Sequence, residues 1–204
     1  MNRDEKNSKT REKIIHSALE EFSEKSYGEA SLNTVCAEGN ISKGIIYHYF
    51  KDKDELYLVC VKECFDALLS QLQKAFSSEG EPMEKALENY FSARIEFFDK
   101  NPTYLKLFCN VRINPPIHLA LDIAEIKAEL DDFNVRVLAK LLKNEKLRSD
   151  VSLNEIISVF FEYQDFVNAR FQMQAFGKST LRQHEERCAR SLKILLYGVI
   201  EREA

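Results

Sequence analysis

The sequence predicts an all-α fold of about nine helices, because three features favour helices over strands. The chain is poor in residues that break helices, with 6 glycines and 4 prolines among 204 residues. Apolar residues recur at helical spacing over long stretches, and we find no convincing strand and no internal repeat. Residues that cap helices stand where several stretches begin, among them Ser31, Ser42 and Asp52.

The first predicted helix runs from Thr10 to Lys25, and a longer one runs from the cap Asp52 to about Phe76. The later helices begin at recognisable start signals. Pro82 begins the fifth helix, and Asn101-Pro102 begins a short sixth helix through Val111. A helical stretch that one break could divide follows over 117–143. Ser152-x-x-Glu155 begins a helix to about Phe176, and Thr180 begins the last one, to about Glu201.

Residues 31–50 are the most informative stretch, because they form two short predicted helices around a Gly-Asn break. Ser31 can cap the first helix and Ser42 can cap the second. Gly39 and Asn40 enter the left-handed conformation easily and can end a helix sharply. This arrangement is typical of a helix-turn-helix motif, whose second helix enters the major groove of DNA.

The second short helix, predicted over 43–50, has an unusual outer surface. Ile46 and Phe50 are four residues apart and form an apolar anchor. Gly44 costs stability in a helix but lets another backbone come close. The other outward positions carry hydrogen-bonding groups, namely Lys43, Tyr47, His48 and Tyr49, with Lys51 and Lys53 following. The alternative is that the three rings are half-buried in an ordinary helical core.

The candidate DNA-binding residues are Ser31, Asn33, Ser42, Lys43, Gly44, Ile45, Tyr47, His48, Lys51 and Lys53. We expect Tyr47 and Lys53 to contact phosphates, and Lys43, Ile45 and His48 to lie near base edges. The start of the first short helix is expected to touch the DNA backbone.

Residues 41–56, ISKGIIYHYFKDKDEL, resemble the recognition-helix segment of the tetracycline-repressor (TetR) family of bacterial transcription regulators. The resemblance extends back through residues 13–22, and the rest of the chain matches only in length and helical pattern. The family often has Ala-Gly at Gly39-Asn40 and Ile-Ala at Val35-Cys36. Both departures are conservative in role, because Asn tolerates the left-handed turn and Cys packs as a small apolar residue.

The resemblance implies a three-helix DNA-binding domain in residues 1–53, joined by a shared helix to a larger helical ligand-binding and dimerisation domain in residues 54–204. It also implies a transcription regulator, in the commonest mode a repressor that a small-molecule effector releases from a palindromic operator. One alternative is a DNA-binding protein with a filled core that is controlled by a protein partner and binds no small ligand. A second alternative is an all-α enzyme, whose catalytic site would have to be built from scattered residues.

The net charge of −4 does not favour binding to DNA, which is itself negatively charged. Nine basic and nine acidic residues cancel through residue 53, so the rest of the chain carries the whole excess. DNA binding must then rely on local placement of the lysines, with the acids facing away. This predicts a specific binder with a modest phosphate footprint rather than a nucleoid-coating protein.

The eighth and ninth predicted helices indicate a homodimer. The eighth is apolar nearly all round, so it must be covered on both sides. The ninth has two apolar stripes, Leu181-Cys188-Leu192-Leu195-Val199 and Ala189-Leu196-Ile200, and one of them can face a partner. Two such helices from each of two chains would make a four-helix interface. The alternative is that both helices are buried within one monomer.

Polar groups among aromatic rings on the sixth and eighth helices predict a small-molecule pocket. The candidate ligand-binding residues are Tyr104, Phe108 and Arg112 on the sixth helix, with Gln164, Asn168 and Phe171 on the eighth. Arg112 is the candidate for orienting a polar or anionic group. The alternative is that these rings only fill the core.

No catalytic residues, metal ligands or cofactor are predicted. The chain has no phosphate-binding loop, nucleophile elbow, zinc-protease motif or Gly-rich dinucleotide turn, and we find no evident partners for His118 and His184. Cys60 and Cys64 have a spacing that could hold a metal, but both fall on an apolar stripe, which favours packing. With no secretory signal and no long apolar run, we expect a cytoplasmic protein.

Overall fold

The computed structural model describes residues 3–76, 82–143, 145–174 and 181–199, and nine α-helices account for most of them. The helices are α1 (Arg3–Glu24), α2 (Leu32–Glu38), α3 (Lys43–Tyr49), α4 (Lys53–Ala75), α5 (Met83–Lys100), α6 (Pro102–Ile113), α7 (Ala120–Leu142), α8 (Leu153–Gln174) and α9 (Leu181–Val199). A 3₁₀ turn over Ile117–Leu119 precedes α7 directly. The predicted all-α fold is confirmed.

The chain divides into two compact units, and the division falls inside α4 and α7. The first unit contains Met1–Phe65 and Thr103–Lys127, and the second contains Asp66–Pro102 and Ala128–Ala204. The first unit therefore includes α6 and the start of α7 as well as the helix-turn-helix elements. Across the described ranges, no helix combines the length and the apolar composition that a membrane crossing needs.

The start of α1 at Arg3 lies well before the predicted start at Thr10. Thr10 does not cap the helix, because its hydroxyl donates to the Lys6 carbonyl oxygen at 2.9 Å within α1. Ser8 Oγ donates to Glu12 Oε1 at 2.7 Å, one turn further on. The helix therefore extends through a polar segment, which apolar spacing could not indicate, and the Ser8–Glu12 pair links two of its turns.

The predicted caps Ser31, Asp52 and Ser152 are confirmed, while the predicted helix start at Thr180 lies outside the described residues. Ser31 Oγ accepts the N–H of Asn33 at 3.2 Å and begins α2. Asp52 Oδ1 accepts the N–H of Glu55 at 2.9 Å and begins α4. The start of α8 is the predicted capping box, in which Ser152 Oγ accepts the N–H of Glu155 at 3.2 Å and Glu155 Oε2 accepts the N–H of Ser152 at 2.8 Å.

In the turn between α2 and α3, Gly39 and Asn40 meet two different requirements, one for space and one for backbone conformation. Asn40 takes the left-handed conformation, with φ 44°, whereas Gly39 has φ −75°. Gly39 is needed for space instead, since a Cβ there would lie 2.6 Å from Ile41 Cδ1 and 2.7 Å from Ser17 Oγ. The turn therefore depends on close packing against α1 as well as on backbone conformation.

In the second unit, α9 packs against both α5 and α8. The buried face of α9 is the row His184, Cys188, Leu192 and Leu196, which combines members of both predicted stripes. Tyr90 donates to Asn134 Oδ1 at 2.7 Å inside the same core. Leu192 lies beside these two residues, around a cavity of about 10 Å³.

Candidate nucleic-acid interface

The solvent-facing side of α3, which we call its outer face, carries Lys43, Gly44, Ile45, Tyr47 and His48. Large side chains such as Ile45 and Tyr47 are more often buried in a folded monomer. Ile46 and Phe50 are buried and anchor the helix, as predicted. Ile45 is 41% exposed and Tyr47 is 49% exposed, while the polar side chains beside them also face solvent. An apolar contact to the thymine methyl group and hydrogen bonds to base edges or phosphates are what such a surface can supply.

Gly44 lies on this outer face with open space around it. A Cβ built on Gly44 would meet no atom within 4 Å, so nothing else in the described chain requires a glycine there. Glycine inside a helix costs about 1 kcal/mol relative to alanine. The open space at Gly44 leaves room for another backbone or a ligand to come close from outside the chain.

Of the three neighbouring rings, only Tyr49 turns toward the protein. It is half-buried, and its hydroxyl donates to Asn7 Oδ1 on α1 at 3.2 Å. The Arg11 guanidinium, also on α1, lies 5.3 Å from the centre of the Phe50 ring. Tyr47 and His48 remain exposed. The alternative of a half-buried ring thus describes Tyr49 alone, and α1 braces the end of α3.

The hydroxyl-bearing candidates are already engaged in capping. Ser42 Oγ accepts the N–H of Ile45 at 3.4 Å, and Ser31 Oγ caps α2. The backbone N–H of Ser31 donates to Glu21 Oε1 at 2.8 Å, which links α2 to α1. Asn33 is exposed in the first turn of α2. These residues set the start of each short helix, where backbone N–H groups point outward.

The three candidate lysines differ in their surroundings. Lys43 and Lys51 are exposed. The ammonium group of Lys53 donates to the Tyr27 carbonyl oxygen and lies 4.3 Å from the centre of the Tyr27 ring. Burial lowers the pKa of Lys53, while nearby Asp54 and Glu21 oppose that shift. Lys53 therefore makes contacts within the fold, whereas the side chains of Lys43 and Lys51 face solvent.

Three acids of α1 are occupied away from the outer face of α3. Glu20 Oε1 accepts from Thr103 Oγ1 of α6 at 3.2 Å, and Glu24 accepts from Lys106 of α6. Glu21 accepts from Lys25 Nζ at 2.9 Å in addition to the Ser31 N–H. The ion pairs of Glu21 with Lys25 and of Glu24 with Lys106 partly offset the acidic charge of the first unit.

A cluster that the sequence did not reveal lies at the first turn of α4. His118 Nε2 is 3.3 Å from Asp54 Oδ1, and the Tyr27 hydroxyl donates to the same oxygen. The His118 ring centre is 5.3 Å from that of Tyr27. Hydrogen bonds from Tyr27 and then from His118 hold the pKa of Asp54 below its usual value, against the effect of burial. No local spacing signals this cluster, because its residues are far apart in the chain.

The candidate ligand residues of α6 lie close together in the first unit. Tyr104 donates to Glu63 Oε1 at 2.7 Å. Phe108 is buried, with its ring centre 5.1 Å from that of Phe65, and the Arg112 guanidinium lies 5.8 Å from the centre of the Phe108 ring. These contacts place a guanidinium group beside packed aromatic rings, and the ligand pocket on α6 stays a prediction.

The candidate ligand residues of α8 belong to the second unit. Gln164 and Asn168 are buried, and His184 Nε2 lies 3.1 Å from Asn168 Oδ1, so His184 has a partner that the sequence did not indicate. The side chain of Phe171 lies outside the described residues. Asn168 is thus already committed to a bond within the fold.

The two cysteines with metal-like spacing bond to backbone carbonyl oxygens in the first unit. Cys60 Sγ donates to Ile15 O at 3.9 Å, and Cys64 Sγ donates to Tyr104 O at 3.4 Å. Both thiols are buried. Within the part of the chain that the structure describes, no group of three or more His, Cys, Asp or Glu residues could hold a metal ion.

Comparison with known proteins agrees with this geometry. Residues 14–60, which span α1 to the first turns of α4, match the family described as bacterial regulatory proteins, tetR family. The chain is 28% identical over 134 residues to IcaR of Staphylococcus epidermidis, the negative transcriptional regulator of the biofilm operon icaADBC. That match covers 65% of this chain and 68% of IcaR. The chain belongs to the TetR family.

A second relative of this TetR-family protein is the transcriptional regulator RutR of Escherichia coli, 25% identical over 170 residues, or 83% of this chain and 79% of RutR. Among solved structures, the fatty acid degradation regulator FadR from Bacillus halodurans has a TM-score of 0.74 at 15% identity, covering 92% of this chain and 98% of that one. FadR from Bacillus subtilis, solved in complex with stearoyl-CoA, has the same TM-score and identity. These structures share the fold.

The TetR-family assignment accounts for the outer face of α3. Regulators of this family bind DNA, usually as dimers and with small-molecule effectors, and they are not enzymes. The protein is a DNA-binding transcriptional regulator. The sequence did not indicate that Tyr27, Asp54 and His118 meet at the first turn of α4, a few residues after α3 ends.

Proposed function

We propose that the protein is a homodimeric repressor that binds a near-palindromic operator in the cytoplasm and is released by a small-molecule effector. The main observation in support of sequence-specific DNA binding is the outer face of α3, where Ile45 and Tyr47 are exposed and Gly44 leaves open space. Repression is supported by the likeness to IcaR, which is named a negative transcriptional regulator.

In this proposal, some residues of α3 contact base edges and others contact phosphates. Lys43, Ile45 and His48 lie near base edges, while Tyr47 contacts a phosphate. Lys51, just after α3, adds charge to the phosphate contacts. DNA binding resides in residues 1–53, and the segments beyond them regulate and dimerise.

The homodimer forms through α8 and α9. Phe166 is 56% exposed and Ile194 is 63% exposed, and Val159 is exposed on the same helix as Phe166. Large exposed apolar side chains of this kind are expected to be covered by a partner. Leu192, a member of a stripe that could have faced a partner, is 3% exposed and lies inside its own chain instead. The dimer would place two recognition helices about 34–36 Å apart, or somewhat more, to reach successive major grooves.

The proposed effector site contains Tyr104, Phe108 and Arg112 on α6 in the first unit. Gln164, Asn168 and Phe171 on α8 stay predictions from the sequence. The guanidinium near the Phe108 ring supports an effector with an anionic group and an apolar body. An effector can release DNA only by its difference in affinity for the two arrangements of the protein.

An alternative location for the effector is a surface groove of about 690 Å³ between α5 and α9. Its floor includes Phe91 and Ile95, and Arg190 lies on its α9 side. This volume lies within the range of ligand sites. The groove is a separate site from the α6 residues, so variants at Arg112 and Arg190 distinguish the two.

One observation favours the alternative of control by a protein partner without a small ligand. The cavity beside Tyr90, Asn134 and Leu192 has only about 10 Å³, so this part of the second unit is filled. A protein that copurifies with no small molecule, and whose operator binding responds only to another protein, would support this alternative.

Genomic footprinting of the purified protein tests the proposed function. We expect a small number of near-palindromic sites, and their promoters would identify the regulated genes. Ile45→Asp should abolish these footprints, because it places a carboxylate against DNA, while Leu121→Asp, at an exposed apolar position away from α3, should retain them. Absence of any enriched sequence with the wild-type protein would refute the proposal.

A further inference from the structure

The 3₁₀ turn before α7 places His118 against the first turn of α4. His118 Nε2 lies 3.3 Å from Asp54 Oδ1, and both side chains are about half-exposed. The ring of His118 meets the ring of Tyr27 edge to face, with 5.3 Å between their centres. His118 therefore links a segment far along the chain to the helix that directly follows α3.

Two further contacts join Tyr27 to the same turn of α4. The Tyr27 hydroxyl donates to Asp54, and the Lys53 ammonium covers the Tyr27 ring at 4.3 Å from its centre. We call Tyr27, Lys53, Asp54 and His118 the His118 cluster. Since α3 ends at Tyr49 and α4 begins at Lys53, the cluster lies a few residues from the end of the recognition helix.

We propose that His118 is a positioning residue for operator binding, because its bond to Asp54 holds the first turn of α4, and with it the end of α3, in the arrangement that reads DNA. The proposal rests on the proposed function, in which the effector-free protein binds the operator. His118 touches no DNA in this proposal and acts through Asp54.

The chemistry of the pair makes this link sensitive to pH. Histidine gains a positive charge between about pH 8 and about pH 5. The charge strengthens its attraction to the Asp54 carboxylate, whose pKa is held low by the Tyr27 hydrogen bond. The other charged groups nearby are Lys53 on α4, Asp52 just before it, and Asp122 one turn along the helix from His118. Acidic conditions should therefore tighten the link and with it operator binding.

The test measures operator affinity of the full chain at several values between about pH 6 and about pH 8. The variants are His118→Gln, Asp54→Asn and the double variant. His16→Gln is the matched control, because His16 is an exposed histidine on α1 outside the cluster. His48, the histidine on the outer face of α3, is unchanged in wild type and in all four variants. Its effect therefore cancels in the comparison with wild type.

Wild type should gain about two- to fivefold more affinity on acidification than His118→Gln does, the range of an exposed ion pair. Asp54→Asn should lose the same increment, the double variant should lose no more, and His16→Gln should behave as wild type. Melting temperatures should stay near the wild-type value, because His118 is about half-exposed.

Equal pH dependence in wild type and His118→Gln would overturn the positioning role while leaving the proposed function intact. Additive losses in the double variant would also overturn it, because they would show that His118 does not act through Asp54. A wild-type protein that binds no operator at any pH would overturn the proposed function and this inference together.

Discussion

The ammonium group of Lys53 lies over the ring of Tyr27, 4.3 Å from its centre, and donates to the carbonyl oxygen of the same residue. This arrangement gives Lys53 a role in the fold besides its proposed contact with a phosphate. The neighbouring Lys51 has an exposed side chain. The two lysines therefore separate the effect of charge on DNA binding from the effect of packing on stability.

Lys51→Ala and Lys53→Ala should each weaken binding to all DNA sequences alike. Each should reduce the slope of log affinity against log salt by about one unit, because each removes one phosphate contact. Only Lys53→Ala should also lower the free energy of unfolding, by about 1 kcal/mol, since it loses the contact with Tyr27. Salt titrations and urea unfolding measure the two effects.

Lys100→Ala on α5 is the control for these lysines, because Lys100 pairs with Glu96 at 2.5 Å in the second unit. It should leave the salt slope unchanged. An unchanged slope for either test variant would remove that lysine from the footprint.

Gly44→Ala should make the protein more stable and a weaker DNA binder. Alanine in place of a helical glycine raises the free energy of unfolding by up to about 1 kcal/mol, and the new methyl group meets nothing in the chain. The same methyl group should hinder the approach of DNA. Gly28→Ala, where a Cβ also meets nothing within 4 Å, should leave operator affinity unchanged. Tight operator binding by Gly44→Ala would contradict the close approach at this position.

Phe166→Glu combined with Ile194→Glu should give monomers, because buried carboxylates without partners are costly at an interface. Sedimentation velocity at micromolar concentration should show a dimer for wild type and a monomer for the variant, and the monomer should bind the operator poorly. Leu121→Glu provides the control, since Leu121 is 84% exposed in the first unit. A wild-type monomer under these conditions would refute the dimer, and a dimeric double variant would refute the proposed interface.

The buried carboxylate of Glu21 should make stability depend on acid pH. Burial would raise its pKa, but hydrogen bonds from Lys25 and the Ser31 N–H hold the pKa below its ordinary value of 4.5. A depressed pKa contributes stability above the unfolded value and loses it as the pH falls through the folded value. Glu21→Gln should therefore cost about 2 kcal/mol at neutral pH. That difference from wild type should shrink below pH 4.5. A difference that does not change with pH, measured by urea unfolding, would contradict this assignment.

Effector binding and operator binding should oppose each other by the same factor. Coupling of about 1–3 kcal/mol would loosen operator binding about 5- to 150-fold, and operator DNA must weaken effector binding equally. Once a thermal-shift screen identifies an effector, its titration with and without operator measures this factor. Equal effector affinity in both titrations would refute the coupling.

Arg112→Ala should lower the affinity for that effector if the effector binds at α6. Arg190→Ala should lower the affinity if the effector binds in the groove between α5 and α9. Arg136→Ala, an exposed position on α7, is the control. Normal effector affinity in Arg112→Ala would refute the assigned site.

Much of the DNA-reading surface could be predicted from the sequence because it depends on local rules. The caps at Ser31 and Ser42, and the buried pair Ile46 and Phe50, follow from residue type and helical spacing within a few residues. Such short-range geometry is nearly the same in any helix, so a pattern is enough to predict it. Only the direction of Tyr49 was ambiguous, because its partner Asn7 lies on another helix.

The sequence by itself determined the helical fold, the helix-turn-helix segment and the side chains that α3 exposes. The tertiary structure alone decided that His118 meets Asp54, that Lys53 stacks on Tyr27, and that Leu192 lies inside its own chain. Each of these depends on which helices pack together and on how each helix is rotated about its axis. Spacing within one helix shows that an apolar or charged side chain needs a partner, but the partner is chosen by the packing of residues far apart in the chain.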